Sequence, residues 1–287
     1  MRTMRAERDR SALDADWLGL CRRSTDRLQD LFGLHPDTER RARTEGIGAG
    51  GDHALVIDRR AEDIVFEELA ALNEQGHSFL AISEERGEVS FGEGDGVTVV
   101  VDPIDGSLNA KRLLPTFALS IAVSSGPTME DVEFGYVHDF GTGEEYVATL
   151  GEGALLNGEP LDPDALGRGL EVVGFEAARP GWVAPVASLL ADSVFRMRAV
   201  GTIAVTLCYV AAARLDGMLT MNTCRSVDAA AGQLIAREAG AFVSVLGHGG
   251  LEAPLDLDAR FRIAAGRTPE GLETLVQALT QAGPPPG

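Results

Sequence analysis

The residues with the most chemical potential stand where apolar runs end. In Val99-Val-Val-Asp-Pro-Ile-Asp-Gly-Ser-Leu-Asn109 an apolar strand leads directly into two acids three residues apart. Pro103 fixes the backbone between them, so the carbonyl of Ile104 can turn toward the same point as the carboxylates of Asp102 and Asp105. Three hard oxygen donors placed in this way suit a divalent cation such as Mg²⁺. The next residues, Gly106 and Ser107, offer free amides at a helix start, where a phosphate can be held. Eighteen residues before Asp102, Ile82-Ser-Glu-Glu85 again places acids at the end of an apolar strand, and Glu84 can complete a metal site. Arg225-Ser-Val-Asp-Ala-Ala-Ala-Gly232 puts Asp228 at the entrance to a helix of small residues. Asp228 is there either as a helix cap or as a further carboxylate of the same site.

Other chemistries have little support. The single lysine, Lys111, follows Ala110 and has no glycine-rich loop before it, which excludes a P-loop. None of the serines sits in a G-x-S-x-G elbow, and His248-Gly-Gly250 reads as a turn. His35, His53, His77 and His138 form no HxxxH or HExxH pair. An EF-hand starting at Asp102 would need oxygen donors where Ile104, Gly106 and Leu113 stand.

Several elements must position these groups. Leu13, Trp17, Leu20, Leu28 and Leu31 give Ser11–Phe32 the spacing of an amphipathic helix. Gly46–Gly51 reads as a turn leading into a strand at Ala54–Ile57, and Asp58 as the cap of a second helix with Ile64, Leu69 and Leu72 inward. Short β-rich runs follow at Phe79–Ile82, Val97–Val101, Ala118–Val123, Val132–Val137 and Glu145–Ala148, with a hairpin edge at Gly151–Gly158. Pro163–Arg168 marks a crossing into a second half. That half has strands at Glu171–Phe175, Met218–Met221, Phe242–Val245 and Arg262–Ala265, and helices at Ile203–Arg214, Ala229–Ala239 and Pro269–Leu279. Strands and helices therefore alternate, which predicts layered α/β structure, with one half over residues 1–165 and the other over 166–287. The tail Ala282–Gly287 reads as frayed.

Composition narrows the partners. The 287 residues are 45% hydrophobic and 24% charged, with no apolar run approaching a membrane span. The basic start MRTMRAERDR lacks a following apolar stretch, so a cytoplasmic protein without a secretory leader is expected. Cys21, Cys208 and Cys224 are too scattered for a disulfide framework. A net charge of −19 argues against nucleic acid as a partner. Of the 25 basic residues, 24 are arginine. Codon bias in a GC-rich genome and a salt-adapted, halophilic cytoplasm are two origins for this balance. The second predicts that thermal stability rises from low to molar salt.

Together the motifs resemble the inositol monophosphatase and fructose-1,6-bisphosphatase superfamily, in particular its archaeal dual-activity type. Asp102-Pro-Ile-Asp-Gly-Ser-Leu-Asn109 resembles the family's first signature, with Ser for the more usual Thr, and Val227-Asp-Ala-Ala-Ala-Gly232 resembles the second. Glu84-Glu85 is similar to the upstream acidic pair and Asp58 to an acid linked to a third metal. Gly201-Thr202 and Cys208-Tyr209-Val210 fall in family order, so the resemblance spans Ile47 to Val245, with Gly167 to Arg198 outside the correspondence.

The resemblance implies an αβαβα sandwich, two or three Mg²⁺ per subunit, a homodimer, and hydrolysis of a small phosphate ester without a covalent enzyme intermediate. It implies one cation on Glu84, Asp102 and the Ile104 carbonyl to acidify a water, and a second on Asp102, Asp105 and Asp228 to neutralise the leaving oxygen. Asp58 and the Ser107 hydroxyl would orient or deprotonate that water, and the Gly106 and Ser107 amides would hold the phosphoryl oxygens. Inositol-specific members carry Glu seven residues before the last metal aspartate. Here that position is Met221, which favours a broader sugar or polyol phosphatase. Arg198, Gly201, Thr202 and Arg225 are the expected substrate contacts, with Lys111 a further candidate. An adenosine 3′,5′-bisphosphate 3′-phosphatase and a non-catalytic metal-binding protein of the same fold are the alternatives.

Overall fold

A computed structural model describes residues 12–35, 38, 44–47, 53–93, 96–162 and 169–284. Helix α1 (Trp17–Leu34) and helix α2 (Val56–Glu74) flank a short antiparallel pair, β1 (Thr44–Ile47) and β2 (His53–Leu55). Strands β3 (Phe79–Ser83), β4 (Gly87–Phe91) and β5 (Thr98–Asp105) precede a short helix, α3 (Ser107–Arg112). Strands β6 (Ala118–Ser124), β7 (Val132–Asp139), β8 (Glu144–Thr149), β9 (Gly153–Leu156) and β10 (Glu159–Pro160) complete an eight-stranded sheet of order β10-β9-β8-β7-β6-β5-β3-β4.

The chain then builds β11 (Leu170–Glu176), helix α4 (Pro180–Leu189), β12 (Val194–Arg198), helix α5 (Ile203–Ala211), β13 (Gly217–Thr220), helix α6 (Ser226–Glu238), β14 (Phe242–Leu246), β15 (Arg262–Gly266) and helix α7 (Pro269–Ala282). Its five strands form a second sheet of order β12-β11-β13-β15-β14.

Three apolar clusters stack these elements into five layers. Helices α1 and α2 cover the outer face of the large sheet through Trp17, Leu20, Leu28, Ile57, Val65 and Leu69. Helices α5 and α6 fill the space between the sheets, touching β6 and β7 on one side and β13 or β14 on the other. Helices α4 and α7 close the small sheet from outside with Val186, Leu190, Leu275 and Leu279. The order is the αβαβα sandwich that the resemblance implies. Because α6 has sheet on both sides, it is Ala-rich: Ala229, Ala230, Ala231 and Ala236 are buried, and a Cβ at Gly135 on β7 would come within 2.9 Å of the Ala231 carbonyl.

Element ends differ from the sequence expectation in several places. The strand expected at Ala54–Ile57 stops at Leu55, and the second helix starts at Val56, so Asp58 lies inside its first turn instead of capping it. The helix expected from Ala229 begins at Ser226, which places Asp228 in the first turn. Strands β1, β4 and β12 and helix α4 have no counterpart in the sequence reading, and β1 takes in Gly46 and Ile47, which read as the start of a turn. The crossing at 163–168, the boundary between residues 165 and 166, the turn residues 48–51 and the basic start at 1–11 lie outside the described residues.

Candidate active site

The strand register brings the acids together. Strands β3 and β5 run parallel with Ser83 opposite Val101, so Glu84 and Asp102 emerge side by side at the carboxyl ends of neighbouring strands. Strands β5 and β6 pair Asp102 with Ser120 and Asp105 with Ala118, so two residues, Pro103 and Ile104, stand opposite Leu119 alone. This bulge re-aims the strand end and lets acids three apart serve one cavity. Gly106 leaves the strand at φ 88°, a left-handed turn that favours glycine. It opens α3.

A cavity of about 380 Å³ lies at this corner. Its described lining holds seven carboxylates, Asp58, Glu62, Glu84, Glu85, Asp102, Asp105 and Asp228, against two basic side chains, Lys111 and Arg225. Pro103, Ile104, Gly106, Ser107 and Leu108 complete it.

The protein holds one oxygen of each central aspartate. Asp102 Oδ1 accepts the Ile104 N–H at 3.0 Å. Asp105 Oδ2 accepts the Ala204 N–H at 2.7 Å and the Thr202 hydroxyl, which docks Asp105 on the amino end of α5. The Ser107 hydroxyl donates to the Ile104 carbonyl at 3.0 Å. Asp228 Oδ2 accepts the Arg225 backbone N–H at 2.7 Å, so the capping role and a place in the cavity belong to the same side chain.

Electrostatics follow from crowding. Burial first, then Asp105, Asp228 and Glu84, push Asp102 well above the usual carboxylate range. Burial and Asp228 push Asp105 up to about 8. Burial, with Glu84 and Asp58 next, pushes Glu85 up to about 7. Like charges in a desolvated cavity resist ionisation until a cation joins them.

Those donors suit a hard divalent ion, because Asp102 and Asp105 each have one oxygen anchored by protein donors and a second left for a cation. Among the described residues no three acidic, histidine or cysteine side chains already surround a single point. Glu84 is instead bonded to the Arg225 guanidinium at 2.7 Å, and that guanidinium also stands 4.0 Å from Asp228. To join such a cation Glu84 would have to turn from Arg225.

Of the residues expected at the site, the cavity gathers Asp58, Glu84, Asp102, Ile104, Asp105, Gly106, Ser107, Arg225 and Asp228. Arg198 is not in the lining. It is exposed on β12 and donates to its neighbour's carbonyl at Met197. Gly201 and Thr202 also lie outside the lining, and Thr202 contacts Asp105. Met221 is buried in the apolar cluster that includes Leu275 and Leu279 of α7 and does not line the cavity.

Sequence reasoning missed Glu62, which lines the cavity one helical turn after Asp58 and pairs with Arg86 at 3.5 Å. The signal was its i, i+4 spacing from Asp58.

The model of the inositol monophosphatase family matches residues 19–283, a longer span than the motifs alone suggested. Two curated archaeal relatives bear the name fructose-1,6-bisphosphatase/inositol-1-monophosphatase. That of Methanothermobacter thermautotrophicus is 31% identical over 279 residues, covering 92% of this chain and 96% of its own. That of Thermococcus kodakarensis is 32% identical over 255 residues, covering 88% and 92%. A crystal structure titled as an inositol monophosphatase-fructose 1,6 bisphosphatase superposes with a TM-score of 0.78 at 26% identity, covering 92% of this chain and all of that one. The chain belongs to the inositol monophosphatase family. It is a phosphoric monoester hydrolase.

Proposed function

We propose that the protein hydrolyses small sugar or polyol phosphates, fructose-1,6-bisphosphate or inositol-1-phosphate among them, with Mg²⁺ as cofactor. The observation that carries this reading is the meeting of Glu84, Asp102 and Asp105 from one sheet with Asp228 from α6 in one cavity. The names of the archaeal relatives support the substrate class. Divalent ions, two or three per subunit in this reading, would supply a lowered pKa for water and positive charge against the phosphoryl and leaving oxygens.

The chain's own groups do the rest. Glu84, Asp102, the Ile104 carbonyl, Asp105 and Asp228 form the ligand set. The Gly106 and Ser107 amides hold the phosphoryl oxygens, while Asp58 and the Ser107 hydroxyl orient the attacking water. Arg225, released from Glu84, and Lys111 face the remainder of the substrate. Buried Met221, in place of a hydroxyl-binding acid, supports a broad sugar specificity.

The same reading includes a cytoplasmic homodimer. The outer edge of β12, with Phe195 64% and Met197 46% exposed, supports self-association. The acid-rich, lysine-poor composition supports a salt-adapted cytoplasm. Among the described residues, no helix is long and apolar enough to cross a membrane.

Ranking kcat/KM for fructose-1,6-bisphosphate, inositol-1-phosphate and adenosine 3′,5′-bisphosphate tests the substrate class. The two sugar or polyol esters should lead. Preference for the nucleotide would replace this reading with the 3′-phosphatase one.

A further inference from the structure

A buried carboxylate outside the cavity lining accepts hydrogen bonds from the loop that touches Asp105. Glu176 ends β11 and is 2% exposed. Its Oε1 accepts the Val200 N–H at 3.0 Å and the Thr206 hydroxyl at 2.8 Å, and its Oε2 accepts the Gly201 N–H at 2.8 Å. On the other side of the same loop, the Val200 carbonyl accepts the Asn109 amide at 2.8 Å and the Thr116 hydroxyl at 3.1 Å. Gly201 fills the gap at φ 89°, where a Cβ would stand 2.6 Å from the Asn109 amide nitrogen. The loop is therefore wedged between Glu176 of the small sheet and Asn109 of the helix that follows the metal-ligand strand. One and three residues further on, Thr202 and Ala204 supply the donors to Asp105.

Burying a carboxylate is costly, and only a full set of donors offsets it. Glu176 has two backbone amides just after β12 and a share of the Thr206 hydroxyl, which also lies 2.7 Å from the Thr202 carbonyl, and burial still holds its carboxyl above the usual range. An apolar side chain would remove the desolvation cost but leave those amides without an acceptor. The carboxylate thus buys a fixed loop.

We propose that Glu176 is a positioning residue for the metal centre: through the Val200–Gly201 peptide it sets Thr202 and Ala204, and through them the orientation of Asp105. This role rests on the reading of the cavity as a divalent-metal site. Outer partners of a metal ligand typically change affinity by about 10–100-fold when altered.

The test is Mn²⁺ binding to the full chain, followed by calorimetry, in wild type, Glu176→Gln and Glu176→Asp. Gln keeps the size but turns an amide donor toward one of the two backbone N–H groups. Asp is too short to reach both. Glu176→Gln should weaken Mn²⁺ binding by roughly tenfold, Glu176→Asp by less, and raising Mn²⁺ should restore much of the turnover. Thr25→Val, which removes a buried hydroxyl bonded to Tyr136 in the outer layer, serves as the stability control. It should lower Tm without moving the Mn²⁺ titration.

A folded Glu176→Gln protein that binds Mn²⁺ as wild type does would overturn the role. If that variant fails to fold, Glu176→Asp with unchanged binding overturns it instead. Wild-type protein that binds no Mn²⁺ at all overturns the metal-centre reading and this role with it.

Discussion

At the residue scale, the site is a problem of excess negative charge, and Arg225 is the partial answer built into the chain. Its guanidinium is half-enclosed between Glu84 and Asp228, in a cavity whose other basic group is Lys111. On the proposed ligand set, a divalent cation and Arg225 would draw on the same Glu84 carboxylate. Arg225→Met should tighten Mn²⁺ binding several-fold by removing that competitor, while Lys111→Met, which deletes the same charge without a bond to Glu84, should change it less. Calorimetric titration of both variants separates the two effects. Equal shifts would assign the change to net charge, and weaker binding in Arg225→Met would mean that the arginine helps to assemble the ligands.

At the element scale, placement depends on strand ends and one left-handed residue. Gly106 joins β5 to α3 at φ 88°, and a Cβ there would meet the Gly201 and Thr116 carbonyls at 3.2 Å and Thr202 Cβ at 3.3 Å. Gly106→Ala should cost about 1–2 kcal/mol from the backbone alone. The crowding pushes on Thr202, so activity should fall further than stability explains, as thermal denaturation and turnover measured on one preparation would reveal. Unchanged turnover would separate Gly106 from the geometry of Asp105.

Much of this scale was legible, because an apolar strand ending in an acid is a pattern visible without coordinates. It marked Glu84 and Asp102. It also stands in Val172-Val-Gly-Phe-Glu176, where the reading stopped at Phe175 and lost Glu176. The start of α2 was misplaced because Ala54–Ile57 is an apolar run, although the buried positions Ile57, Ala61, Val65 and Leu69 keep a helical spacing back to Ile57. Helix α4 escaped notice because Pro185 sits inside it, and β12 because an exposed edge strand with two arginines has no buried alternation to read.

At the scale of the whole molecule, the cavity belongs to no single layer. Asp102 and Glu84 come from the large sheet, Asp228 from the central helix layer, and the donors to Asp105 from the start of α5. No local pattern in the sequence reports that junction, which is why Arg198 was expected near the substrate although it lies outside the lining.

The same assembly fixes a pH response. Asp105 near 8, Glu85 near 7 and raised Asp102 all have folded pKa values above those of the unfolded chain. Their protonated forms favour the fold, so stability contributed at acid pH is lost as pH rises through the folded values. Metal-free protein should therefore lose Tm between about pH 5 and about pH 8, and saturating Mg²⁺ should reduce that loss by stabilising the ionised carboxylates. Parallel melting curves in EDTA and in Mg²⁺ check both signs.

The most direct test of the account is phosphate release from fructose-1,6-bisphosphate and inositol-1-phosphate by wild type and by Asp105→Asn, each in Mg²⁺ and in EDTA. Wild type should turn over at least one ester in Mg²⁺ and none in EDTA. Asp105→Asn should melt as a folded protein yet lose most turnover, and Ser107→Ala, which removes a hydroxyl and no metal ligand, should lose less. Release that persists in EDTA, or an active Asp105→Asn protein, would contradict the assignment of this cavity as a metal-dependent phosphatase site.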